Sequence, residues 1–172
     1  ALPNVKSMDA FAMKAGIIKA ENEIETIVLK GIDEKYKLDF FKKHIVKGKI
    51  IHLSDSLTSN EILISQTTAD RLHLDIGNKM LIYFVQDPPR QRVFKISGIY
   101  KTDMSTYDQT IALCDLKHIQ KLNEWNNQQI DGFEITLNDF SQLDATNDAI
   151  NNIIPYNLIS KTIVARNKEI FD

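Results

Sequence analysis

The hydrophobic positions of the chain fall into short runs whose spacing separates strands from helices. Residues 11–20 and 25–32 read as extended, joined through the polar Glu21-Asn22-Glu23 as a hairpin turn without glycine, and Gly31 ends the second strand. Residues 35–43 form a short helix, with Leu38, Phe41 and Ile45 at helical spacing; Gly48 stops it, and Lys42, Lys43 and Lys47 occupy its last turns. Residues 61–65 are a strand. Ser65 then caps a helix through Leu72, because a serine hydroxyl can accept from the free N–H groups of a first turn, and Ala69 and Leu72 face inward. Gly77 supplies a positive-φ turn. Met80, Ile82 and Phe84 alternate with Leu81, Tyr83 and Val85, which predicts a strand buried on both faces. Asp87-Pro88-Pro89-Arg90 turns the chain, residues 92–100 return as the partner strand, and residues 109–113 are a further strand.

Asp115 caps a helix with Leu116, Ile119 and Leu122 on one face. Residues 132–137 alternate cleanly, placing Phe133, Ile135 and Leu137 on one side. Asp139 caps a helix striped by Phe140, Leu143, Asn147, Ile150 and Ile154, and Pro155 stops it. Residues 156–164 are extended again, and residues 166–171 leave the domain. A strand-rich centre between flanks that alternate helix and strand predicts an α+β fold: a small α/β subdomain with a β-rich insertion.

Composition removes whole classes of function. A net charge of −2, without a block of five like charges, gives no nucleic-acid footprint. The apolar share of 43% is that of an ordinary globular chain. A single cysteine, Cys114, cannot form an internal disulfide, so the fold rests on its apolar core. No apolar run reaches the roughly 18 residues of a membrane-spanning helix, and Ala1-Leu2-Pro3-Asn4 does not open a signal peptide. Alone, these observations describe a cytosolic chain or an excised domain.

Nothing in the sequence predicts catalysis. His44, His52, His73 and His118 make no His-x-x-x-His or Glu-x-x-His pair, so no metal centre is expected. Cys114 follows an apolar strand and reads as a small packed hydrophobe. No glycine-rich phosphate loop occurs, so no nucleotide or other cofactor is expected. Glu21, Glu23 and Glu25 read as solvated carboxylates without the further oxygen ligands Ca²⁺ needs. The candidate contacts are loops between strong strands: the tip Asp87, Pro88, Pro89, Arg90 and Gln91, and residues 101–107 with Tyr107, since arginine and tyrosine often carry interface energy.

Five marks then occur in a fixed order: Gly31-Ile32-Asp33; Lys47-Gly48-Lys49; Ile64-Ser65 with Ala69, Leu72 and Leu74; Gly77-Asn78; and Ile96-Ser97-Gly98-Ile99 with Asp108. This order resembles the extracytoplasmic domain of the FtsX/MacB/LolC-LolE family of ABC transporter permeases. The resemblance implies a Porter-like α/β subdomain, residues 1–32 plus 114–172, with a β-rich Sabre-like subdomain, residues 33–113, inserted in it. It also implies a periplasmic domain of an inner-membrane protein, with the family's first strand and helix preceding Ala1 and residues 167–171 running back into the second membrane helix. Such domains couple ATP-driven motion of membrane helices to lipoprotein release or to macrolide or peptide export. The implied partners are an ABC ATPase reached through the membrane part, and a periplasmic protein; the permease would be dimeric and the isolated domain monomeric. Two departures stand out. Asn78 replaces the usual acid, and where LolC-type permeases carry a long Pro-flanked hook for a chaperone this chain has only residues 86–91. The rival reading is a stand-alone α+β binding or regulatory module, with a hydrolase a distant third.

Overall fold

The computed structural model describes residues 2–20 and 23–166. Contacts divide the chain into a larger unit, Asp9–Phe133, and a smaller one of Ala1–Met8 with Glu134–Asp172. Helices and strands mix throughout, an α+β fold.

In the larger unit, β1 (Val5–Ala20) pairs antiparallel with β2 (Glu23–Ile32), Phe11 opposite Ile32. β2 runs parallel to β7 (Ile111–Asp115), and Leu113 of β7 meets Leu63 of β4 (Glu61–Ser65). β4 runs parallel to β6 (Arg90–Tyr100), and β6 pairs antiparallel with β5 (Lys79–Phe84). β5 returns to β1, Tyr83 opposite Ile17 and Ile82 opposite Ile18. The ladders therefore close on themselves into one circuit, β1-β2-β7-β4-β6-β5.

Alternate residues along the strands face the enclosed space. Ala12 and Ile18, Ile27 and Leu29, Ile62 and Ile64, Met80, Ile82 and Phe84, Phe94 and Ile96, and Ala112 and Cys114 form one buried cluster. Two helices complete it: α2 (Gln66–Leu72) through Ala69, and α4 (Leu116–Leu122) through Leu116, Ile119 and Leu122. The opposite faces of β2, β7 and β4 carry a second cluster, Ile32, Ile111, Leu113 and Leu63, together with Tyr100, covered by Phe41 of α1 (Asp39–His44) and by Ile51. Hence β7 is buried at all five positions. The expectation of two-sided burial for residues 80–85 fails: Val85 is 86% exposed, and Leu81 and Tyr83 are half-buried, because among the described residues no comparable cluster lies over that side of β5.

Local chemistry fixes the helix ends. Ser65 Oγ accepts from Thr68 N at 3.0 Å, and Asp115 Oδ1 accepts from Lys117 N at 3.0 Å, as the sequence predicts. Gly77 has φ +82°. Other elements differ from expectation. The helix predicted at 35–43 is displaced to α1, and β3 (Ile45–Gly48) follows it because β6 offers a free partner, Tyr100 opposite Ile45. The strand predicted at 109–113 begins only at Ile111, after α3 (Ser105–Thr110). The expected hairpin turn includes residues 21 and 22, outside the described residues.

The smaller unit is held by Asn4, near the start of β1, beside the end of β8 (Gly132–Leu137). Asn4 O accepts from Asn138 N at 2.9 Å, Asn4 Oδ1 accepts from Asp139 N at 2.8 Å, and Asn4 Nδ2 donates to Thr146 Oγ1 at 2.9 Å. Asp139 caps a 3-10 turn, Phe140–Gln142, before α5 (Leu143–Ile153). The stretch expected to be extended, 156–164, forms no strand and ends in α6 (Ile163–Arg166). The expected segment 167–171 lies outside the described residues.

The expected boundaries do not coincide with these units. Residues 28–32 pair with 111–115 and residues 17–18 with 82–83, so flanking strands and the 33–113 region share one hydrogen-bonded circuit.

Close approach of α4 to β2 requires Gly31: a Cβ there would lie 2.9 Å from Leu116 Cα and 2.8 Å from Ile119 Cδ1. Gly31→Ala is expected to cost about 1–3 kcal/mol as an overpacking change. A urea midpoint equal to wild type would show that α4 shifts freely.

Candidate functional site

The tip between β5 and β6 is exposed from Asp87 to Gln91, and the Asp87–Pro88 peptide is cis. Phe84 opposite Arg90 is the last rung of the ladder, so residues 87–89 project beyond it while Arg90 and Gln91 sit in β6 opposite Phe84 and Tyr83. Asp87, Pro88 and Arg90 border a shallow groove of about 250 Å³. The other wall is Leu122, Asn123 and Glu124 at the end of α4, and Lys14 and Gln86 complete the lining.

Two long-range hydrogen bonds build this groove. Lys14 Nζ donates to Asn123 Oδ1 at 2.6 Å and lies 6.0 Å from the Phe84 ring centroid. Gln86 Nε2 donates to Leu122 O at 2.9 Å, while its Oε1 is buried without a partner among the described residues. Glu124 adopts φ +57°, which turns the chain away after α4. Charges of both signs, Lys14 and Arg90 against Asp87 and Glu124, suit recognition of a polar segment more than of an apolar one. Sequence reading identified the tip but not Lys14 or residues 122–124, which come from distant elements.

Tyr107 does not belong to this groove. It lies on α3, where Lys30 Nζ donates to its hydroxyl at 3.2 Å. Lys30 is only 2% exposed, and its ammonium sits 5.2, 5.5 and 5.8 Å from the ring centroids of Tyr107, Tyr36 and Phe11, within cation–π range. Phe41 meets the Tyr107 ring edge-on at 5.6 Å, and Tyr100 donates its hydroxyl to Tyr107 O at 3.0 Å. The neighbouring loop is equally ordered. Asp108, buried, accepts from Thr102 N at 3.0 Å, Asp103 N at 2.8 Å and Thr102 Oγ1 at 2.8 Å. Thr102 and Tyr107 are thus tied into the fold, and Tyr107 does not line the groove beside the tip.

The four histidines are dispersed. His44 lies on α1 with Nδ1 2.7 Å from Phe40 O, His52 is exposed, and His73 ends α2 at φ +54°. His118 is buried on α4, Nε2 2.8 Å from Ser59 O and ring edge-on to Phe94. Among the described residues no three His, Cys, Asp or Glu side chains are placed to share a metal ion. Burial, reinforced by Asp115, pushes the Cys114 thiol far above its usual range. Glu25 is paired with Arg71 Nε at 3.0 Å, and Glu21 lies outside the described residues.

Comparison with known proteins follows the fold. A family model for the MacB-like periplasmic core domain matches residues 1–153. The chain is similar to the extracellular domain of YknZ, a noncanonic ABC-type transporter of Gram-positive bacteria: TM-score 0.62, 17% identity, covering 91% of this chain and 78% of that one. It is also similar to the periplasmic region of MacB from Actinobacillus actinomycetemcomitans: TM-score 0.57, 12% identity, covering 88% and 67%. At such identities the likeness is one of fold. Comparison with curated proteins gives no match.

Tyr107→Ala is expected to lower stability by about 1–3 kcal/mol, whereas Arg90→Ala stays within about 0.5 kcal/mol. Equal urea midpoints for the two variants would contradict this division of roles. His118 gives a pH test. Burial holds its pKa below the usual value near 6.5, with the Ser59 carbonyl, Asp115, Arg92 and Lys121 as smaller influences. The unfolded chain therefore takes up a proton first. Stability is undiminished above about pH 6.5 and falls as pH drops from there toward the folded-state pKa. His118→Gln should flatten that fall in urea midpoints measured from neutral to mildly acid pH; an unchanged slope would exclude His118 as its source.

Proposed function

The chain belongs to the family of MacB-like periplasmic core domains, and on that premise we propose that it is the extracytoplasmic domain of an ABC transporter permease. It couples ATP-driven movement of the permease's membrane helices to handling of a substrate or partner outside the cytoplasm. The match over residues 1–153 carries this reading. It places the domain outside the cytoplasm as part of a membrane protein. Lipoprotein release and export of a macrolide or peptide are the transport types this architecture serves. The ATPase is a separate domain or subunit acting through the membrane part. The complete permease is a dimer, while this domain alone is a monomer.

The contact with a partner falls at the tip, Asp87 to Gln91, and the groove beside it. These side chains are exposed and make no contribution to either buried cluster. Rigid loops freed from core duties commonly carry recognition. Tyr107, which sequence reading grouped with the tip, is set aside because Lys30 and Phe41 hold it.

The parent reading frame gives the first test: membrane-spanning helices before and after the domain are expected. A full-length protein without them would favour the stand-alone binding module and overturn the permease reading. The second test joins Arg90→Ala with Asp87→Ala in the full permease. Folding should remain within about 0.5 kcal/mol per surface change, while transport or complementation falls. Undiminished transport would assign the domain a lever's role, without a binding face at this tip.

A further inference from the structure

The end of α5 and the stretch after it are tied together by hydrogen bonds. Asn151 Nδ2 donates to Ser160 O at 3.0 Å, and Asn151 Oδ1 accepts from Ser160 N at 2.7 Å. Ser160 Oγ donates to Asn147 Oδ1 at 2.8 Å, and the buried Thr162 accepts from Ala165 N at 3.0 Å. The apolar side chains here are left in solvent: Ile153, Tyr156, Leu158, Ile159, Ile163 and Val164 are all exposed, Tyr156 completely and Ile159 at 72%. Soluble surfaces scatter such residues singly; a concentration of them marks a contact. The charge is as biased as the hydrophobicity. Residues 153–166 contain no Asp or Glu, and their only charges are Lys161 and Arg166, in a chain of net charge −2.

Aliphatic and aromatic side chains mixed with basic ones, and no acid, compose a segment suited to the headgroup layer of an anionic bilayer. We propose that residues 153–166 lie against the extracytoplasmic face of the membrane, the exposed apolar side chains entering the headgroup–acyl boundary and Lys161 and Arg166 meeting lipid phosphates. This rests on the reading of the chain as a permease domain, which holds it close to a bilayer. A second copy fits less well, because a two-fold contact would set these basic side chains against their own equivalents with no acid in the segment to answer them.

The test uses the full-length permease in liposomes of phosphatidylethanolamine and phosphatidylglycerol. An environment-sensitive fluorophore is attached at Tyr156→Cys, at Ile159→Cys, and at Leu57→Cys, an exposed control in the larger unit; Cys114 is buried and unreactive. Brominated lipid is expected to quench the probes at 156 and 159 and to leave that at 57 unchanged. Lys161→Glu with Arg166→Glu, or replacement of phosphatidylglycerol by phosphatidylcholine, should weaken that quenching. Probes shielded from aqueous iodide but untouched by brominated lipid would mean that protein, from a second copy or another part of the polypeptide, covers the segment; this overturns the proposal. Iodide quenching as strong as at 57 would leave the surface open to water and overturn it too. A parent protein that washes off the liposomes at alkaline pH would overturn the permease reading itself and this inference with it.

Discussion

Closure of the sheet through β1 is the constraint on which the larger unit depends. At Ile17 and Ile18 the strand pairs on both edges, with Thr26 and Glu25 of β2 and with Tyr83 and Ile82 of β5. Among the described residues two β1–β5 pairs make the seam, and the side chains that fill the interior support it. That filling requires small residues on β1. Ala12 is fully buried, and a Cβ on Gly16 would collide with the Ile82 side chain and crowd Phe84. Gly31 has the same role toward α4. Three positions without bulk therefore admit Ile82, Phe84, Leu116 and Ile119, and these exclude water from the enclosed space. Strand closure and side-chain filling are linked here: Ile18 and Ile82, paired across the seam, both belong to the interior cluster.

Much of this was legible in the sequence because local chemistry specifies it. Ser65 and Asp115 cap their helices, Gly77 takes positive φ, Pro155 follows the end of α5, and 132–137 is a strand. What escaped depends on partners far along the chain. Alternation shows that β5 and β7 are strands, but which of them is covered on its second face depends on where α1 and Ile51 dock. β3 exists because β6 has an edge to offer, a fact absent from the residues of β3 itself. The same limit applies to the groove. Its tip was visible as a proline-rich turn, but Lys14–Asn123 and Gln86–Leu122 span 109 and 36 residues. The contacts of Tyr107 were not visible either, because Lys30 and Phe41 are brought to it by β2 and α1.

Two kinds of surface remain after the core is accounted for, and they differ in what is left unsatisfied. At the groove the unsatisfied group is polar: among the described residues Gln86 Oε1 is buried without a donor, beside charges of both signs. Leaving a buried acceptor unpaired costs on the order of 1–3 kcal/mol, and an incoming N–H donor would recover much of it. After α5 the reverse holds: Ser160 is hydrogen-bonded to Asn147 and Asn151, and the exposed side chains are largely apolar. A ligand for the first surface must bring hydrogen-bond donors in defined positions, which a protein partner can do. A partner for the second need only be apolar with negative charge at its border, which asks for no fixed geometry and is met by a fluid bilayer. One chain thus carries a surface that asks for specific polar contacts at the groove and one that asks for none at the segment after α5.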